Sequence, residues 1–167
     1  MTLLRSEGNV VASTQTINST FGARIMIPGT GVIPNNYMHL FDPQTHFSCS
    51  GIIAEGFPPA LGQAFAFQRR GTDSVAVAVT GEGAANQGAF HESLNLAALW
   101  HLPVVFVVED NKWGISVPRS ASTSVASNAD RASAYGIPGV RVEDNDVDAV
   151  HEAAGKMVAR ARRGEGP

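Results

Sequence analysis

From about residue 50 the apolar positions alternate between two periods. PPALGQAFAFQRRG (58–71) repeats at helical spacing, places Pro58 and Pro59 in a first turn where no N–H partner is lost, and closes on Gly71. SVAVAVTG (74–81) is a continuous apolar run, the pattern of a parallel strand buried on both faces. GAFHESLNLAALW (88–100) returns to helical spacing, with Phe90, Leu94 and Ala97 on one face and Leu96, Leu99 and Trp100 widening it. LPVVFVVED (102–110) predicts a second buried strand and GVRVED (139–144) a third. A last helix follows, capped by Asn145 or Asp146. Its apolar stripe is Val147, Val150, Ala154, Met157, Val158 and Ala161, with acids early and Lys156, Arg160, Arg162 and Arg163 late, as the helix dipole favours.

Strand, helix, strand, loop, strand, helix is the grammar of an α/β fold with a doubly wound, mostly parallel sheet. The first 37 residues differ. VVASTQTINSTF (10–21) alternates and is rich in β-branched residues, and the Pro/Gly/Asn cluster IPGTGVIPNN (27–36) follows it. This predicts a short β-rich segment over 1–37, ahead of an α/β domain over 38–167.

Composition narrows the function classes. The chain has 167 residues, 44% hydrophobic and 16% charged, enough for one packed domain and unlike a disordered chain. A formal net charge of -3 without a basic cluster gives no nucleic-acid surface. His39, His46, His91, His101 and His151 share no metal-ligand spacing. A lone Cys49 forms no internal disulfide. No apolar run approaches a membrane span, and the first ten residues carry no signal-peptide pattern, so the expected setting is the cytoplasm.

In open parallel sheets ligands sit beyond the carboxyl ends of strands, which directs attention to two loops. In Thr80-Gly81-Glu82-Gly83-Ala84-Ala85-Asn86-Gln87-Gly88 two glycines flank one carboxylate between a strand and a helix. Small residues let a backbone approach a phosphate, and the free N–H groups of a helix start favour an anion. A carboxylate there repels that anion unless a cation lies between them, which points to a hard metal such as magnesium. Glu109-Asp110-Asn111-Lys112-Trp113-Gly114, after the neighbouring strand, offers an amide oxygen and a backbone carbonyl as further hard ligands. If the two strands are adjacent and parallel, both loops open on one edge. A nicotinamide-binding reading of the same loop fails twice. Asn86 stands where the third glycine belongs, and no acidic residue follows about 20 positions on.

The run from Gly81 to Pro118 resembles the thiamine diphosphate motif in the alpha subunit of 2-oxo acid dehydrogenases, the pyruvate, branched-chain and acetoin group. That motif opens with Gly-Asp-Gly and closes with an Asn about 30 residues on; here Asn111 stands 29 positions after Glu82. The resemblance continues through MHLFDP (38–43), SGII (50–53), RRGTDSVAVA (69–78) and YGIPGVRVEDND (135–146), covering about residues 38–167. It implies that Gly81, Gly83 and Ala84 line the diphosphate. It also implies that the side chains of Glu82 and Asn111 and the backbone carbonyl of Trp113 hold Mg2+. Gly51 and Ile53 match positions that contact the aminopyrimidine ring through their backbone.

The resemblance further implies a beta subunit that supplies the activating carboxylate, a lipoyl carrier protein and a 2-oxo acid substrate. No catalytic residue falls within the chain. Three departures qualify this. Glu82 stands where the family has Asp. The Tyr-Arg pair that precedes MHLFDP in the family and the catalytic His that follows the present end have no counterparts, so the chain is expected to be a central part, inactive alone. Finally, residues 7–36 resemble a piece of the gamma-glutamyltransferase small subunit, with Thr16 and Asn18 at glutamate-contacting positions but neither the nucleophile nor the acidic residues after Asn35-Asn36. A chimera joined near NNYMHLFDP is the simplest expectation. An inactive fragment or interaction module is the competing one.

Overall fold

The structure is a computed structural model that describes residues 52–143 and 146–167 in full, and the backbone of 10–13, 40–42 and 47–49. Three of these stretches form a parallel sheet: β1 (Val10–Ser13), β4 (Ala76–Gly81) and β5 (Val104–Glu109), in the order β1-β4-β5. Between β1 and β4 lie β2 (Leu40–Asp42) and β3 (Phe47–Cys49), which pair antiparallel, and then the helix α1 (Phe57–Arg70). The part of the amino-terminal segment that is described therefore lies against the central strand, with Val10 opposite Ala76 and Ser13 opposite Val79. The rest of residues 1–37 falls outside the described residues.

The helix α1 forms as its spacing predicts. Phe57, Ala60, Leu61, Ala64 and Phe67 line its buried face. Gly71 ends it at φ 65°, a left-handed conformation that costs a glycine nothing, and donates its N–H back to the Gln68 carbonyl. The next helix, α2 (Gly88–Leu99), buries Phe90, Ser93, Leu94 and Ala97. Phe57 and Phe90 meet edge to face with ring centroids 5.1 Å apart, and Phe106 of β5 lies 5.8 Å from Phe57. With Ala76 and Ala78 of β4 these rings form one core between the sheet and the two helices. The Gln68 amide of α1 donates to the carbonyls of Trp100 and His101, satisfying the end of α2 from outside.

Three expectations need correction. Leu99 and Trp100 do not widen the buried face of α2; both are exposed, and Trp100 packs instead over Phe65, also exposed, with ring centroids 6.0 Å apart. The strand β5 is only partly covered. Val104 is buried but Val107 is exposed, because β5 closes the described sheet on that side. Residues 139–143 form no strand. No described strand offers them a ladder, Val140 is exposed, and Gly139 is pressed against the Ala129 carbonyl, where any side chain would collide. Asp144 and Asn145 lie outside the described residues.

A one-turn helix, α3 (Arg119–Ser122), precedes the last helix, α4 (Val147–Arg162). The cap of α4 is Asp146, which accepts from the N–H groups of Asp148 and Ala149. Its stripe stays largely open to solvent: Val147, Val150 and Ala154 are exposed, Met157 and Val158 half-buried, and Ala161 alone buried. Contact with the body comes at its carboxyl end, where Arg162 donates to the Asp73 carbonyl. Among the described residues no helix is long and apolar enough to cross a membrane.

Candidate cofactor and metal site

Parallel pairing aligns the two loops. Gly81 lies opposite Glu109 in the β4–β5 ladder, and the Glu82 N–H extends the ladder by donating to the Glu109 carbonyl at 3.1 Å. Both strands therefore end at one level, and both loops open on the same edge. The polypeptide beyond Gly81 makes a turn and a short 3-10 segment, Ala84–Asn86, before α2 begins. Beyond Glu109, Asp110 and Asn111 lead into a two-residue-stranded hairpin, β6 (Trp113–Gly114) with β7 (Val117–Pro118).

Glu82 is the unusual member of this edge. It is 2% exposed, and its Oε1 has no hydrogen-bond partner among the described residues. A buried carboxylate is costly unless paired or coordinating a cation. Gly83 sits beside it with its Cα toward Gly114; a Cβ on Gly83 would come within 3.4 Å of the Gly114 Cα. The two loops thus meet glycine to glycine, and the missing side chains let the two backbones approach.

The second loop is tightly turned. Asp110 Oδ1 accepts from the Lys112 N–H at 3.1 Å, and Asn111 Oδ1 accepts from the Trp113 N–H at 2.9 Å. These successive Asx turns bend the chain back on itself. Lys112 and Ile115 take positive φ, 71° and 58°, conformations that non-glycine residues adopt at an energetic cost and that concentrate at binding and catalytic sites. An amide oxygen has two lone pairs, so Asn111 keeps one free after its bond to Trp113. Trp113 is 55% exposed.

Of the residues singled out in the sequence, Gly81, Glu82, Gly83 and Ala84 stand on one loop, with Asn111 and Trp113 on its neighbour. Ile53 lies in the exposed turn ahead of α1, and none of the bonds that join the loops involves it. Gly51 lies outside the described residues. Among the described residues no three His, Cys, Asp or Glu converge. What the two loops could offer a hard cation is of another kind: the Glu82 carboxylate, the Asn111 amide oxygen and main-chain carbonyls.

Sequence reasoning overlooked the polar groups that hold these loops. Arg119 Nε lies 3.0 Å from Asp110 Oδ2. The Nε–H is not aligned for a hydrogen bond, so the contact is one of charges. Arg119 Nη2 donates to the carbonyls of Val125 and Ala126. Asn86 makes no cap bond to α2. Its Oδ1 accepts from Arg131 Nη2 at 2.6 Å, and its Nδ2 donates to the Ser122 carbonyl and Thr123 Oγ1. His91 is half-buried and bonded to Tyr135 and Arg131. The only advance sign was that Asn86 and Arg131 are polar residues next to apolar segments.

The Dehydrogenase E1 component family matches residues 10–167, nearly the whole chain. The chain belongs to that family. The match to this E1 component starts within the amino-terminal segment, at β1. The alpha subunit of acetoin:2,6-dichlorophenolindophenol oxidoreductase from Cupriavidus necator is 48% identical over 131 residues, covering 78% of this chain and 39% of that protein. The pyruvate dehydrogenase E1 component subunit alpha of Rhizobium meliloti is 41% identical over 131 residues, covering 78% and 38%. The chain thus spans about 39% of the length of such relatives. The crystal structure of benzoylformate decarboxylase from Polynucleobacter necessarius shares the fold, with a TM-score of 0.63 at 16% identity over 93% of this chain and 29% of that one.

Proposed function

We propose that this E1-family chain is the central, cofactor-holding part of a dehydrogenase alpha subunit that binds thiamine diphosphate through Mg2+ and serves the oxidative decarboxylation of a 2-oxo acid. The observation that carries this reading is the buried Glu82 carboxylate with an unpartnered oxygen, flanked by Gly81 and by Gly83, which abuts Gly114 of the second loop. Glu82 and Asn111 side chains and the Trp113 carbonyl would hold the metal. Gly81, Gly83 and Ala84 would border the diphosphate, and Gly51 and Ile53 the aminopyrimidine. Thiamine diphosphate supplies a carbon nucleophile and an electron sink for loss of carbon dioxide, while the protein binds and orients it.

This chain's own residues hold and neutralise; none is placed here to move a proton. The reading therefore includes a beta subunit that contributes the activating carboxylate, and a lipoyl carrier protein that takes the acyl group. It also includes a sheet that is doubly wound in the whole subunit, of which β1, β4 and β5 are the centre.

Thermal unfolding with Mg2+ and thiamine diphosphate, separately and together, tests the reading. Stabilisation is expected only with both, amounting to about 2.7 kcal/mol at a ligand concentration of 100 times Kd. Glu82→Gln keeps the shape and removes the charge. It is expected to abolish that stabilisation while leaving the unliganded protein as stable or more so, because a buried charge is gone. Glu82→Asp is expected to keep it. Stabilisation that persists in Glu82→Gln sinks the metal assignment. No stabilisation of the unsubstituted chain favours an inert interaction module.

A further inference from the structure

The segment from Arg119 to Tyr135 touches both loops, through two arginines and through Ser122 and Thr123. At its start, the Arg119 N–H donates to the Lys112 carbonyl at 2.9 Å while its guanidinium faces Asp110. Lys112 and Asp110 flank Asn111, so one residue grips the second loop by both backbone and side chain. A turn later the Ser122 carbonyl and Thr123 Oγ1 accept the two donor bonds of the Asn86 amide, on the first loop. The segment is itself tied back, since the Thr123 N–H donates to the Arg119 carbonyl at 2.9 Å and Arg119 Nη2 reaches Ala126 at 2.7 Å.

At its far end Arg131 spreads over three partners. Nη2 bonds Asn86 Oδ1 at 2.6 Å, Nε bonds Asn128 Oδ1 at 3.0 Å, and Nη1 meets His91 Nε2 at 3.2 Å. A guanidinium only donates, so His91 accepts at Nε2 and carries its proton on Nδ1, which lies 2.7 Å from the Tyr135 hydroxyl. Asn128 is buried, and a capping box on Ser127 and Asp130 starts its 3-10 helix. Arg131 is thus anchored at its base and reaches outward with a fixed planar fork. Both ends of the Asn86 amide are engaged, which fixes its orientation.

We propose that residues 119–135 form a brace that sets the spacing of the two cofactor loops, with Arg119 and Arg131 as its positioning residues. Arg119 holds the loop of Asn111 and Trp113, and Arg131 holds the turn that follows Glu82 and Gly83. Because one continuous segment carries both grips, loosening either end frees both loops. The ligand side of this inference rests on the Mg2+ and thiamine diphosphate reading; the mechanical side does not.

Hydrogen–deuterium exchange of the whole chain, read by mass spectrometry, separates the two. Arg131→Ala is expected to speed exchange about tenfold over residues 82–86 and also over 111–114, with the amides of α1 unchanged. Arg119→Ala is expected to loosen the same two stretches. Asn86→Ala removes a small, exposed side chain and serves where an arginine variant fails to fold; it too is expected to loosen 111–114. Arg131→Lys keeps the charge and loses the fork, and is expected to behave as Arg131→Ala. Loosening confined to the substituted residue's own loop, or rescue by lysine, overturns the brace. In parallel, Mn2+ is titrated with saturating thiamine diphosphate. Asn86→Ala is expected to weaken Mn2+ binding about tenfold at unchanged unliganded Tm. If the unsubstituted chain binds neither Mn2+ nor thiamine diphosphate, the functional reading fails and the exchange data still decide the brace.

Discussion

At the carboxyl ends of β4 and β5 a charged side chain, Glu82, is 2% exposed, whereas on α4 the apolar Val147 is 80% exposed. Each region inverts the usual rule that apolar groups go inside and charges outside. The inversions differ in kind. Around Glu82 the backbone is locked by a ladder bond, a glycine contact and two Asx turns, and the buried carboxylate is held in place by structure built for it. Around Val147 the Asp146 cap orders the backbone, but the apolar side chain itself stays in solvent. Charges of α4 and of the chain after it pair with close neighbours in sequence, Lys156 with Glu152 and Arg163 with Glu165, on open surface. The lesson is that a buried charge with tight surroundings carries functional information, while an exposed apolar stripe records only that a helix can pack.

Breaking the core side of the comparison gives the largest expected effect. Phe57, 2% exposed, touches the rings of Phe90 and Phe106. Phe57→Ala is expected to cost about 3–5 kcal/mol in urea unfolding; a cost below about 1 kcal/mol would show that the core beneath the loops is not what supports them. Asp146→Ala removes the cap of α4 and is expected to cost about 1 kcal/mol, less than a core lesion because helix ends fray locally. Val150→Asp tests the open face directly. It is expected to change stability by less than about 0.5 kcal/mol, and a loss above about 2 kcal/mol would mean that Val150 is buried.

The smallest effect concerns acid. The Lys156 ammonium hydrogen-bonds Glu152 and attracts it, holding that carboxyl below its ordinary 4.5. A group whose folded value is depressed stabilises the fold above the unfolded value, and that contribution is lost as pH falls through the folded one. Lys156→Ala should therefore leave Tm at pH 7 within about one degree and flatten slightly its decline below 4.5, since exposed pairs are worth little. A large drop at pH 7 would move α4 into the same class as the loops.

The sequence was most legible where one period ran long. The helices 57–70 and 88–99 and strands 76–81 and 104–109 follow their apolar spacing to within two residues. The parallel alignment that brings Glu82 beside the second loop follows from strand order alone. The stretch 139–143 misled because β-branched spacing says a strand is affordable locally, not that a partner ladder exists. Within the site, the ligand-type residues were readable because glycine and carboxylate spacing is chemical. Arg119 and Arg131 were not, because the bonds that hold them run to main-chain carbonyls or to side chains such as Asn86 and His91, 45 and 40 residues away, which leave no mark in the sequence.

The two tryptophans sit in unlike surroundings. Trp100 leans on Phe65, next to the end of α2, whereas Trp113 stands half in solvent on the loop that carries Asn111. With Trp100 replaced by phenylalanine the chain would keep one indole, placed beside the proposed ion and free of stacking with another described ring. Its emission then becomes an optical gauge of the loop that carries Asn111.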